Sequence, residues 1–228
     1  MQNPHDKLFK ETFTYPEVAP DFIAHYVPEE ITRHIDLTTI TLQKDTFIQK
    51  ELTEFYSDLL LQVSFAGDDG YIYILFEHKS YPDAPLTLQL FRYMIEIWQR
   101  ETEKERDLYL PIILPIVLYQ GKNDWKKPPT LGDLINGGKE IPVALQPYVP
   151  DFEFLFYNFS PYGTLEIKGS AKLQAYLQTI KHIYGEDPEK LYSIVIGLDQ
   201  AEEIDFLETI MLYLLHLAEH FSVPVLKE

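Results

Sequence analysis

The chain has 228 residues, 14 Phe and 16 Tyr, no cysteine and a formal net charge of −17. A composition this aromatic excludes an intrinsically disordered chain. The missing cysteine excludes disulfides, thiolate zinc sites and a cysteine nucleophile, and fits a reducing compartment, so a cytoplasmic location is expected.

The amino-terminal MQNPHDKLFKE has no basic stretch leading into an apolar run, so no secretory signal is expected. His5 to Phe13 carries Leu8, Phe9 and Phe13 at helical spacing, and Pro20–Tyr26 and Pro28–Ile35 read as two further short helices, each opened by proline. Residues 37–42 (LTTITL) are β-prone. YSDLLLQVSF and YIYILFEHKS then flank GDDG, which reads as a hairpin. The stretch Leu86–Arg106 lacks Pro and Gly and spaces Leu88, Leu90, Met94 and Ile97 as an amphipathic helix. LYLPIILPIVLYQG reads as a buried strand constrained by Pro111 and Pro115. Residues 121–150 are mostly loop around a short LGDLI helix, and FEFLFYNFS is a further strand. From Ala171 onward three helical segments follow, the last apolar enough to be internal or to face a partner. No stretch is long and apolar enough to span a bilayer. The order of elements predicts an α/β fold with a mixed central sheet flanked by helices.

One constellation in this order carries chemistry. Side chains alternate along a strand, so Tyr71, Tyr73, Leu75, Glu77 and Lys79 share one side, and Ile72, Ile74, Phe76 and His78 the other. With Asp68 and Asp69 as a two-residue turn, paired numbers sum to 137, which sets Asp58 opposite Lys79 and Leu60 opposite Glu77. Directly opposed residues share a face with Cβ atoms ~5 Å apart, and diagonal neighbours lie ~7–8 Å apart. Asp58 is thereby expected beside Glu77 and Lys79, and a one-residue slip would send it to the other face. Asp58, Glu77 and the His78 backbone carbonyl offer the hard oxygen donors that Mg²⁺ takes. Lys79 is placed to orient or help deprotonate an attacking water and to stabilise charge on a scissile phosphate. A lone E-x-K pair is otherwise a solvated ion pair.

The spacing Asp58, 18 residues, Glu77-His78-Lys79 resembles the PD-(D/E)XK nuclease superfamily. Gln89-Leu90-Phe91-Arg92-Tyr93 is similar to the Q-x-x-x-Y element of its RecB and Cas4-like exonuclease branch, which implies that Gln89 and Tyr93, on one helix face, reach back toward the metal site or DNA and assist in positioning. More closely, HDKLFKETF at 5–13, YSDLLLQV at 56–63, YIYILFEHKSYPD at 71–83, LFRYMIEIW at 90–98 and LPIVLYQGKNDW at 114–125 resemble the bacterial recombination-promoting nucleases, also described as transposase-like. The resemblance implies a restriction-endonuclease-like fold. It also implies a metal-dependent DNA endonuclease that uses Mg²⁺, with Mn²⁺ or Ca²⁺ as alternatives, and a link to recombination, mobile elements or phage defence. It reaches to about residue 160, so residues 1–160 are expected to form the nuclease-like domain and 161–228 a helical extension packed on it, offering a homodimer surface. Many members have glutamine where Lys79 stands; lysine restores the superfamily pattern and favours activity.

The net charge opposes a DNA partner, since nucleic-acid binders usually carry a basic footprint. The charge is uneven, however: residues 101–150 hold seven acidic against six basic side chains. A bound cation also supplies positive charge toward a phosphate. Glu11 or Asp6 on the first helix is a further candidate ligand, although acidic residues near a helix start commonly serve the helix itself. His5 and His78 read as structural. Lys122, Lys126 and Lys127 form a small basic cluster able to touch a DNA backbone. The bland alternatives are a silent DNA- or protein-binding member of the same fold, and an interaction module whose acidic surface and apolar last helix drive association.

Overall fold

The computed structural model describes residues 3–43, 57–77, 86–104, 109–135, 139–185 and 188–220. Asn3 caps the first helix, accepting the His5 backbone N–H at 3.0 Å, and Pro4 occupies the first helical position, where a missing N–H costs nothing. This helix, α1 (Pro4–Phe13), buries His5, Leu8, Phe9, Thr12 and Phe13. α2 (Val18–Tyr26) and α3 (Glu29–Thr32) follow. The third helix stops at Thr32, short of the Ile35 expected from the sequence. Ile35 instead begins β1 (Ile35–Leu42), whose Ile and Thr residues favour extended backbone.

β2 (Ser57–Phe65) and β3 (Asp68–Glu77) form the expected hairpin, but the turn lies elsewhere. Ala66 and Gly67 are its central residues, with φ of 53° and 100°, and Asp68 and Asp69 belong to β3. Paired numbers therefore sum to 133 rather than 137: Asp58 faces Leu75 and Leu60 faces Tyr73. Both registers send the same residues to the same face, so the hydrophobic pattern does not distinguish them. The turn does: both of its central residues have positive φ, as in a type I′ hairpin loop, and with Gly67 at one of them only Ala66 is strained, where an Asp-Asp pair would be strained twice. A Cβ added at Gly67 would meet nothing within 4 Å, so only its backbone conformation resists substitution. Gly67→Ala is expected to lower stability by about 1 kcal/mol in urea unfolding without changing m. An unchanged midpoint would mean that this turn does not set the register.

α4 (Leu86–Lys104) crosses from β3 to β4 (Ile112–Tyr119), and the short α5 (Leu131–Leu134) precedes β5 (Leu155–Asn158). The sheet order is β1-β2-β3-β4-β5, antiparallel through β3 and parallel from β3 to β5. Pro115 sits one residue before the β4–β5 ladder begins at Ile116, so its missing N–H leaves that ladder intact. α6 (Ala171–His182), α7 (Pro188–Gln200) and α8 (Ile204–His220) complete the chain.

The two faces of the sheet are covered differently. Leu59, Leu61, Val63, Ile72, Ile74 and Phe76 join α1, α2 and α6 to α8 in one buried cluster. Tyr71, Tyr73, Leu75 and Val117 pack under α4 through Leu86, Leu90, Tyr93 and Met94. A mixed sheet between helical layers is the restriction-endonuclease-like α/β arrangement expected from the sequence. On α8, Phe206, Ile210, Tyr213, Leu214 and Leu217 face the core, while Ile204, Met211, Leu212 and Leu215 are exposed. Among the described residues no helix is long and apolar enough to cross a membrane.

Lys172 ties three parts of the helical layer together. Its ammonium reaches Glu17 at 2.7 Å and Glu203 at 2.8 Å, and lies 5.0 Å from the centre of the Tyr15 ring. The hydrogen bond from Lys172 holds the Glu17 carboxyl below its ordinary value of 4.5, and the same bond, with that to Glu203, holds the Lys172 ammonium above 10.5. Both carboxylates are partly exposed, so Lys172→Met is expected to cost only about 1 kcal/mol at neutral pH. Glu17 contributes above its ordinary value and loses the contribution as pH falls through its lowered one. Lys172 contributes below its ordinary value and loses it as pH rises through its raised one. The difference between parent and variant in pH-resolved urea unfolding should thus be flat between 4.5 and 10.5 and shrink outside that range.

Candidate active site

Asp58 is the second residue of β2 and Glu77 the last of β3, so the antiparallel pairing brings them to the same end of the sheet. Asp58 stands directly opposite Leu75, and Glu77 is two residues beyond Leu75 on the same face. The two carboxylates are therefore diagonal neighbours, on the order of 7 Å apart at the backbone. The register changes the partner of Asp58 but not its face, because 137 and 133 differ by an even number. The expected pairing of Asp58 with Lys79 and of Leu60 with Glu77 is corrected accordingly. His78 and Lys79 lie outside the described residues.

This is the α4 face, since Leu60, Tyr71, Tyr73 and Leu75 all pack there. Glu77 is buried, at 6% exposure. The parallel strands continue its row: Glu77 pairs with Tyr119, and Tyr119 with Asn158, each the last residue of its strand. In open α/β sheets this carboxyl edge is where ligands gather. The Gln120 backbone N–H donates to the Glu77 carbonyl at 2.8 Å and carries the β3–β4 ladder past the strand end.

The segment after β4 folds back over this edge. The Tyr119 hydroxyl donates to the Asn123 carbonyl at 2.9 Å, and the Asn158 side chain donates to Asp124 Oδ1 at 3.0 Å and to the Trp125 carbonyl at 3.1 Å. Trp125 meets the Tyr119 ring edge-on at 4.8 Å between centroids. Gly121 passes so close to the Tyr119 ring that any Cβ there would collide with it. Burial pushes the Tyr119 phenol up, and the Glu77 charge pushes it further.

Behind Asp58 stands Tyr73, which the sequence places only on the same side of β3 as Glu77. Tyr73 is 1% exposed, and its hydroxyl donates to Asp58 Oδ2 at 3.2 Å. Burial, then the Asp58 charge, raises its phenol well above the ordinary value, so it remains a protonated donor at neutral pH. Tyr93 is buried against it, with ring centroids 5.3 Å apart and an interplanar angle of 36°. The signal available in the sequence was a tyrosine, rather than a phenylalanine, in phase with Glu77 on β3.

The remaining candidates are distributed as follows. Gln89 lies one helical turn before Tyr93 on α4, and its Nε2 is buried without a hydrogen-bond partner among the described residues. Glu11 is about half exposed and pairs with Lys7 at 3.6 Å, on the helix whose Phe9 packs against Phe76 on the opposite face of the sheet. His5 is buried between two phenols, Tyr213 at 2.7 Å from Nδ1 and Tyr184 at 2.9 Å from Nε2. Lys127 pairs with Glu153 at 2.7 Å, and Lys122 lies 5.4 Å from the centre of the Tyr184 ring. Among the described residues, no group of three or more His, Asp or Glu side chains converges as a metal cage.

A mixed sheet with two carboxylates on one face of a hairpin end places this chain in the restriction-endonuclease-like structural class. The profile of the family described as "Putative transposase, YhgA-like" matches residues 3–206, and the chain belongs to that family. It is 30% identical to recombination-promoting nuclease RpnD of Escherichia coli O157:H7 over 67% of this chain and 62% of that protein. It is 35% identical to recombination-promoting nuclease RpnC of Escherichia coli strain K12 over 52% of this chain and 39% of that protein. It is 36% identical to the inactive recombination-promoting nuclease-like protein RpnE of the same strain over 53% of this chain and 40% of that protein. The chain thus spans between 39% and 62% of the length of these curated relatives. No solved structure gives a significant match.

Proposed function

We propose that this chain is a divalent-metal-dependent deoxyribonuclease that hydrolyses DNA phosphodiester bonds in the service of recombination, mobile elements or phage defence. The observation that carries the reading is the shared face of Asp58 and Glu77 on adjoining strands at one end of the sheet. The names of RpnD and RpnC support it.

The donor set fits a hard cation such as Mg²⁺, with Mn²⁺ or Ca²⁺ as alternatives. Both candidate side chains supply carboxylate oxygen, and a site with so few protein ligands leaves room for the waters and phosphate oxygens that Mg²⁺ retains. Asp58, Glu77 and the His78 backbone carbonyl would hold it. Bound there, the cation supplies charge neutralisation at the scissile phosphate. Lys79, two residues after Glu77 in sequence, orients the attacking water, assists removal of its proton and stabilises the phosphate oxygens. Gln89 lies on α4, the helix packed over this face, and assists in positioning there. The cation also answers the net charge of −17, because it adds positive charge toward the phosphate at that edge.

A silent, DNA- or protein-binding member of the fold is the second reading, favoured by the name of RpnE. Supercoiled plasmid separates the two: Mg²⁺- or Mn²⁺-dependent nicking that EDTA abolishes is expected. A parent chain that shifts plasmid mobility without cutting it in any of the three metals would establish the silent reading instead.

A further inference from the structure

The last helix is apolar on two faces. Phe206, Ile210 and Leu217 turn into the core and anchor α8 to the other helices and the sheet. On the outer side, Ile204, Glu208, Met211 and Leu215 follow one another at i, i+4, i+7 and i+11, so they lie along one line, and Leu212 stands one turn beyond Glu208. Each of the four apolar side chains is at least 39% exposed. Single exposed apolar residues are ordinary, but four on one side of one helix make a strip roughly 16 Å long that the fold does not need. The strip is acidic as well. Glu208 sits within it and Asp205 at its edge, both exposed, and neither side chain has an ion pair or hydrogen bond among the described residues. α8 contains no lysine or arginine that could balance them.

We propose that this side of α8 is a docking face for a cationic amphipathic helix of a partner protein, which lays its apolar side over Met211, Leu212 and Leu215 and brings lysine or arginine to Glu208 and Asp205. The chemistry of the strip selects that occupant. Apolar side chains at helical spacing accept the apolar side of another helix, and the unbranched Met211 adapts to the side chains it meets. The two carboxylates set the sign of the partner's flanking charges. A second copy bound symmetrically would bring the same acidic strip against itself. A leaflet of anionic lipid would meet the same repulsion, on a chain that already carries −17. The inner side of α8 is held by the core, so the docking face exists before the partner arrives, and the face is independent of the proposed metal site.

Fluorescence anisotropy tests this with the full chain and a labelled peptide of about 18 residues, built from leucine and lysine in amphipathic helical order, beside a leucine and glutamate peptide of the same pattern. The Leu/Lys peptide is expected to bind saturably and the Leu/Glu peptide not at all. Met211→Ser combined with Leu215→Ser should weaken binding at least about tenfold, since two apolar contacts are lost. Glu208→Lys should weaken it by about tenfold at low salt and by less as salt is raised. Glu29→Lys, the same charge change at an exposed position on α3, should bind like the parent. All these positions are exposed, so Tm should stay near that of the parent; if the serine pair nonetheless unfolds, Glu208→Lys against Glu29→Lys decides. Parent-like binding by the α8 variants would reveal attraction to overall charge alone and overturn the proposal, as would absent binding of the Leu/Lys peptide or equal binding of the Leu/Glu peptide. Light scattering that shows a parent dimer, split to monomers by the serine pair, would give the face to a second copy. Flotation of the parent with phosphatidylglycerol vesicles, lost in the same variant, would give it to a membrane, and either result overturns the partner helix.

Discussion

Glu77→Gln is expected to abolish metal-dependent plasmid cleavage while leaving the fold intact. The substitution keeps the volume and one oxygen acceptor but removes the charge that a hard cation requires. Loss of a partner behind a metal ligand already costs 10- to 100-fold in affinity or activity, so loss of the ligand itself should reduce the initial rate by at least about 100-fold. Asp58→Asn should do the same, and the double variant should be little worse than either single one, because under the proposed function the two residues hold one ion and act as a unit. Glu77 is buried at the end of a central strand, where an amide is easier to desolvate than a carboxylate, so its thermal midpoint should not fall. Initial rates of supercoil loss in Mg²⁺ and Mn²⁺, beside calorimetric Tm, check both halves. Glu77→Gln and Asp58→Asn proteins that nick at the parent's rate would remove these residues from the chemistry.

Phe9→Ala should have the largest effect on stability. Phe9 is fully buried and stacks on Phe76 at 4.8 Å between centroids, with Phe13 at 5.1 Å and Tyr176 at 6.4 Å. It is the joint at which α1, β3 and α6 meet, and rigid aromatic neighbours on three sides cannot collapse into the space left behind. A truncation of this kind costs about 3–5 kcal/mol. In a chain of this size each kcal/mol lowers Tm by about 2–4 °C, so a drop of about 6–20 °C is expected in differential scanning calorimetry. Because Phe76 immediately precedes Glu77, the variant should also cut more slowly at temperatures where it is still folded. A drop of less than about 3 °C would mean that the two helical regions are not joined through this residue. The same cluster contains Leu173, Tyr176, Ile194, Phe206 and Tyr213, so the helices after residue 160 share one core with the sheet.

Local chemistry was enough to read much of the molecule from its residues alone. Periodic apolar positions mark α1, α4 and α8, the alternation in YIYILFE marks β3, and the order of elements marks a mixed sheet between helices, because periods of 3.6 and 2 are properties of the backbone and need no partner. The shared face of Asp58 and Glu77 was legible for the same reason: parity along paired strands survives an even shift in register. Which of the two registers holds was not legible in the hydrophobic pattern, which fits both; the positive φ at Ala66 and Gly67 places the turn there. Only the tertiary structure decided what touches across distance: Tyr73 on Asp58, Tyr93 on Tyr73, and His5 between Tyr184 and Tyr213, contacts that join residues up to 208 positions apart. Such contacts follow from how the layers dock, and docking is set by the summed shape of many side chains rather than by any one segment.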